Sequence, residues 1–212
     1  MTDFADMLAG YRRFRDTGWA GQRERWDELA EGQSPRVMVI ACSDSRVDPA
    51  QIFDTSPGEI FVVRNVAALV PPFETNPGHH GVSAALEFAV QVLGVGEVVV
   101  MGHGKCGGCK AALSQELKDA PPGEGGFIAN WIDMLDDARD TVIARYGDDL
   151  GHDAHRAMEQ EGVKVSITNL RTFPCVRSKE RKGELKLIGA FFAIADGVLH
   201  VLDESNGTFA PA

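Results

Sequence analysis

Two short motifs place groups capable of chemistry in this sequence. Cys42-Ser43-Asp44-Ser45-Arg46 supplies a thiol, a carboxylate and a guanidinium, and His103-Gly104-Lys105-Cys106, beginning 61 residues after Cys42, supplies an imidazole and a second thiol. Two cysteines and a histidine are a zinc set one ligand short of a closed tetrahedron, and the open corner is where a catalytic zinc keeps its water. Cys42, His103 and Cys106 are therefore the expected ligands of one Zn2+ per chain. Such a zinc would bring the pKa of water from near 16 to about 7 and so supply hydroxide at neutral pH. Two thiolates make the metal a weaker acid than neutral imidazoles would, so a nearby cation or hydrogen bond has to offset them.

Asp44 and Arg46 are spaced for that task. In an extended turn the carboxylate and guanidinium can pair bidentately beside the metal. Asp44 then has two available roles: accepting a hydrogen bond from the zinc water, or binding zinc itself once Arg46 releases it. The plainer reading is an ordinary ion pair in a turn. Cys109 sustains two rivals. Cys106-Gly107-Gly108-Cys109 has the spacing of a redox dithiol opening a helix, which leaves Cys42 and His103 unexplained. Cys42, His103, Cys106 and Cys109 could instead form a closed structural zinc site, which leaves Asp44 and Arg46 without a role. A phosphate-loop reading of Gly102 to Gly108 fails for want of the Gly-Lys-Ser/Thr ending. His79 and His80 precede a helix and could relay protons, with capping or packing as the plainer role. His152 and His155 read as solvated, and Cys175 as a buried, inert thiol.

The elements that must position these groups follow from periodicity. Val37 to Ala41 is a continuous apolar run, as expected of a strand buried on both faces, and it delivers Cys42 at its carboxyl end. Ile60 to Val63 and Val98 to Met101 repeat the pattern, the latter after a helix from about His80 to Leu93 and just before His103. Both motifs thus lie beyond the carboxyl ends of strands, where an open parallel sheet gathers its binding groups. A helix from about Cys109 to Leu117 would place Cys106 near free amides and a positive dipole end, lowering its pKa. Further helical patterns contain Trp131, Leu135 and Val142, then run on to Leu170. Leu187 to Ile194 and Val198 to Leu202 flank Asp196-Gly197 and form an antiparallel pair. The fold class is α/β, a mainly parallel sheet with a C-terminal antiparallel strand, flanked by helices. Residues 1–30 form an N-terminal helical arm that packs either on its own domain or on a partner subunit.

With 212 residues, 44% of them apolar, the chain can bury a full core as one domain spanning 1–212 without disulfides. A net charge of -10 and no basic run beyond Ser178 to Lys182 argue against nucleic acid or an anionic membrane as partner and favour a small substrate. The start carries acids where a secretory signal is basic. The longest apolar stretch, Leu187 to Ala195, is far short of the roughly 18 to 20 residues of a membrane span. A cytoplasmic location is expected.

The two motifs together resemble those of the β-class carbonic anhydrases, Cys-x-Asp-x-Arg followed by His-x-x-Cys. The resemblance extends through Gly32 to Pro35, Pro57-Gly58-Glu59, Arg64 to Ala67, Gly102-His103 and, more weakly, Leu170 to Pro174, covering roughly residues 20 to 202. It implies zinc on Cys42, His103 and Cys106, a catalytic dyad of Asp44 and Arg46, and reversible hydration of CO2 to bicarbonate. It also implies a substrate pocket with Gln33, Phe61, Val66, Phe88 and Gly102, built at the interface of a homodimer or a dimer of dimers. Gln33 and the ring at Phe88 match the plant-like subgroup, whose pocket tyrosine here loses its hydroxyl. A second subgroup binds bicarbonate noncatalytically through a tryptophan, an arginine and a tyrosine, and closes its zinc with the aspartate. Arg64 is kept but Val39 stands where the tryptophan would be, so an open site is expected. Some relatives of this fold hydrolyse carbon disulfide or carbonyl sulfide, which is the alternative activity.

Overall fold

The computed structural model describes Thr2 to Ala212, which fall into two compact units, one ending at Ser34 and the other running from Pro35 to Ala212. The first holds α1 (Phe4–Arg13), a π-helical continuation (Phe14–Trp19) and α2 (Arg23–Glu31). Asp3 and Asp6 cap α1 reciprocally, each carboxylate accepting the other's backbone N–H. Phe14 meets Trp26 edge to face at 5.7 Å and Arg23 lies over the Trp19 ring at 4.5 Å. No residue of either helix is buried, and Phe4 and Met7 are among the most exposed apolar side chains.

The second unit is built on a six-stranded sheet in the order β2-β1-β3-β4-β5-β6. Its strands are β1 (Val37–Cys42), β2 (Ile60–Asn65), β3 (Glu97–His103), β4 (Lys186–Ala193), β5 (Val198–Asp203) and β6 (Thr208–Pro211). The first four pair in parallel and the last two antiparallel, so the expected mixed α/β sheet is present. Two details differ from the sequence reading. β2 carries an apolar run but is an edge strand, half-buried along most of its length. β6 was not foreseen: its four residues, Thr-Phe-Ala-Pro, are too few to show a period, and the register comes from the Asp203 to Thr208 turn.

Alternation along β1 and β3 sends Met38, Ile40, Val98 and Val100 to one face, where Leu86 and Val90 of the helix from Gly81 and Ile167 and Leu170 of the long helix cover them. Val39, Ala41 and Met101 go to the other face with Ala190. The helices of this unit are α3 (Pro49–Ile52), α4 (Gly81–Glu87, continued as a π-helix to Leu93), α5 (Gly107–Ser114), α6 (Gly126–Ile132), α7 (Asp136–Tyr146), α8 (His152–Leu170) and α9 (Pro174–Arg181). Among the described residues no helix is long and apolar enough to cross a membrane.

α8 is the central brace, with Ala154, Met158, Val163, Ile167 and Leu170 on its buried stripe. Two glycines let it lie against the sheet. A Cβ at Gly102 would stand 2.6 Å from Val163 Cγ2, and one at Gly189 would be 3.1 Å from Val163 Cγ1. Valine is stiff at χ1, so the helix rather than the side chain would have to yield. Gly102→Ala is therefore expected to destabilise the fold by about 1 to 3 kcal/mol, the usual cost of overpacking. Denaturant unfolding measures it, and adding Val163→Ala should return most of the loss. An unchanged midpoint for the single variant would show that the contact is soft.

Candidate metal centre

Parallel pairing sets the positions of the chemically active groups. β1 ends at Cys42 and the adjacent β3 ends at His103, so the two motifs leave the sheet side by side. Gly104 N–H donates to the Phe192 carbonyl at 3.0 Å, and Lys105 then takes a left-handed conformation (φ 57°) that turns the chain back so that Cys106 caps α5. A non-glycine residue in that region is uncommon and marks a constrained turn. The donor atoms of Cys42, His103 and Cys106 all lie within 4.8 Å of one another, and all three residues are buried. Cys109 falls outside that set; it is buried beside α8, 3.7 Å from where a Cβ at Gly162 would stand.

The imidazole tautomer follows from its partner. His103 Nδ1 lies 2.9 Å from the Gly104 carbonyl oxygen, which can only accept, so Nδ1 carries the proton and Nε2 presents a lone pair. That Nε2 is buried without any hydrogen-bond partner. A buried lone pair facing two thiols is costly unless a cation meets it, and two soft sulfurs with one imidazole suit zinc. The residues present fit the metal.

Asp44 is held away from these donors. Arg46 grips it in a fork, Nε to Oδ1 at 2.9 Å and Nη2 to Oδ2 at 2.6 Å, and the Arg46 backbone N–H adds a third bond to Oδ1 at 2.9 Å. Arg46 Nη2 also donates to the Lys105 carbonyl, which ties the first motif to the second. Oδ2 stays 3.9 Å from His103 Nε2. These hydrogen bonds from Arg46 hold the Asp44 carboxyl well below the usual carboxylate range.

The thiols behave otherwise. Cys42 is pushed up to about 12 by its hydrogen bond with Cys106 and by burial. Cys106 also rises to about 12, with the Cys109 hydrogen bond as the largest cause. The expected lowering of Cys106 by the helix start is thus overturned: Cys106 is the N-cap itself, and the Cys109 hydrogen bond and burial outweigh the dipole. For His103, burial pulls the pKa down, but the nearby Cys42 sulfur leaves it raised.

Two supporting roles are not visible in the sequence. Arg64 donates from Nε to the Cys42 carbonyl (2.9 Å), from Nη2 to the Asp44 carbonyl (2.6 Å) and from Nη1 to Asp48 Oδ2 (3.0 Å), clamping the loop that carries the first motif. Glu159 is buried on α8 and accepts the Cys106 backbone N–H at 3.1 Å; burial raises its pKa. Nothing in the local pattern marks either, because each acts across more than 15 residues of sequence. Cys175 is half-buried rather than buried.

A family model described as carbonic anhydrase matches residues 37–199. The chain belongs to the β-carbonic anhydrases. It is 36% identical over 206 residues to a carbonic anhydrase of Pseudomonas aeruginosa, covering 96% of this chain and 90% of that one. The structure of the β-carbonic anhydrase CcaA superimposes with a TM-score of 0.91 at 29% identity, covering 99% of this chain and 92% of that one. Two tetrameric β-carbonic anhydrases from Sordaria macrospora are represented by a chain with a TM-score of 0.78 at 28% identity, covering 98% of each.

Within this carbonic anhydrase the other pocket candidates do not gather at one place. Val66 follows Asn65, which pairs with Cys42, so it stands at the strand end beside the thiols. Its carbonyl accepts Trp131 Nε1–H at 2.8 Å, and its side chain is partly exposed. Phe61 pairs with Met38, four residues before Cys42, or about 13 Å back along the sheet at the usual strand rise. Phe88 lies with Phe61, ring centroids 5.9 Å apart. Gly102 turns its bare α-carbon toward Val163 of α8, and Gln33 is an exposed residue of the first unit.

Proposed function

We propose that this carbonic anhydrase catalyses the reversible hydration of CO2 to bicarbonate at a zinc ion held by Cys42 Sγ, His103 Nε2 and Cys106 Sγ, with Asp44 and Arg46 as the dyad beside it. The observation that carries the reading is the bare, buried Nε2 of His103 converging with two thiols, next to a carboxylate already engaged by arginine. Zinc bound there supplies the Lewis acidity that makes water a nucleophile at neutral pH. The protein does the rest. Arg46 fixes Asp44 so that its remaining lone pairs accept a hydrogen bond from the attacking water and aim it. Gly104 fixes the His103 tautomer, and the Arg64 clamp and Glu159 hold the loops that carry both cysteines. Engaged by Arg46, Asp44 would not itself ligate a zinc held by the other three residues, which is the open form.

Carbon dioxide is apolar and needs an apolar wall. Val66 offers one side. Phe61 and Phe88 form a partly exposed aromatic pair too far from their own Cys42 to serve it, so we assign them, with Gln33, to the site of a second copy in a homodimer or dimer of dimers. The tetrameric Sordaria relatives support an assembly of that kind.

The competing activity is hydrolysis of carbon disulfide or carbonyl sulfide at the same metal. One zinc-quantified preparation assayed with CO2 and with CS2 separates them. Hydration of CO2 without sulfide release is expected; the reverse pattern would overturn the assignment.

A further inference from the structure

A cavity opens beside Arg46 of the dyad. It has a volume of about 500 Å³, within the usual range for small-molecule sites, and lies among Arg46, the Lys105 turn, the first two turns of α8 and the carboxyl end of β4. Its cationic lining is Arg46, Lys105 and Arg156, with the imidazoles of His152 and His155 beside them. In a chain of net charge -10 this is a local reversal of sign.

The donors there are uncommitted. Of the five N–H groups of Arg46, Nε and Nη2 are used by Asp44 and the Lys105 carbonyl, and both hydrogens of Nη1 have no partner among the described residues. Arg156 has no ion-pair partner among them either. Its guanidinium lies over the Phe191 ring, 5.1 Å from the centroid. Two acids also line the space. Glu159 spends one carboxylate oxygen on the Cys106 N–H. Asp196, exposed in the turn between β4 and β5, is the second acid that opposes an incoming anion.

We propose that this cavity binds a compact oxyanion of the phosphoryl or carboxylate class, gripped by Arg156 and Lys105 and touching Nη1 of Arg46, at a site separate from the metal centre. Planar guanidinium donors suit such groups, Arg46 being already oriented by Asp44, and partial enclosure strengthens the contact. The site does not depend on the reaction proposed above. It does place any bound anion on Arg46, the group that positions Asp44.

Calorimetric titration of the zinc-loaded full chain with inorganic phosphate, and separately with malonate, tests this and distinguishes the two sources. Binding in the millimolar range or tighter is expected for at least one of them. Arg156→Gln should weaken it at least tenfold at unchanged zinc content, with His155→Gln as a second, milder variant. Asp196→Asn should tighten it severalfold by removing the opposing charge. No binding at 50 mM of either anion would overturn the proposal. So would affinities unchanged in both Arg156→Gln and Asp196→Asn, since the anion would then be sitting on the metal.

Discussion

Replacing Cys106 by serine removes zinc and CO2 hydration together. Wild-type protein carries about one zinc per chain, and the variant should retain below about 0.1, because structural and catalytic zinc sites derive most of their affinity from the complete donor set. The thiols explain the severity. With both cysteines pushed up to about 12, they are protonated at neutral pH in the metal-free protein, and zinc has to displace two protons to bind. Affinity should therefore rise with pH, by up to about 100-fold per unit between pH 6 and 8, since two protons leave per metal. Serine would have to become an alkoxide in the same place, which is far harder. Cys42→Ser and His103→Ala should behave alike, with circular dichroism largely unchanged because the larger core, with Met38, Ile40, Leu86, Ile167 and Leu170, contains none of the three ligands. A variant that keeps stoichiometric zinc would show that the assigned ligand is not one.

Asp44→Asn gives the second large effect, and it has the opposite metal signature. Zinc should stay near one per chain while turnover falls about 100-fold or more, the usual size of a lost acid–base or orienting contact. The fork from Arg46 needs two acceptor oxygens, and both are used, at 2.9 and 2.6 Å. An amide offers one oxygen, so Arg46 Nη2 or Nε loses its partner and the side chain no longer has a fixed aim. Arg46 keeps its bond to the Lys105 carbonyl, so the fold of the loop should survive. Full activity in this variant would show that the dyad only shapes the turn.

The zinc set and its strand-end placement were legible because they are local. Cys42 closes an apolar run, and His103 and Cys106 share a four-residue turn. The parallel core and the antiparallel return at Asp196-Gly197 follow from the same period and turn signals. What escaped was held by contacts across distance. Arg64 reads as a family position of doubtful use, yet all three of its nitrogens donate to the loop 16 to 22 residues upstream. Glu159 sits in a mixed helix with nothing to mark its burial. The Cys106 thiol departs from the expectation because a helix start favours a thiolate, whereas the Cys109 hydrogen bond and burial do not. Phe61 and Phe88 were placed in a pocket by resemblance alone, and only the strand register reveals how far from their own Cys42 they stand.

The central claim is an open zinc site that hydrates CO2 near neutral pH. Stopped-flow hydration across pH 6.5 to 9, with zinc quantified in the same sample, tests it most directly. One zinc per chain with hydration already present at pH 7 is the expected result. Stoichiometric zinc with activity confined to alkaline pH would contradict it, since Asp44 would then be leaving Arg46 to close the metal.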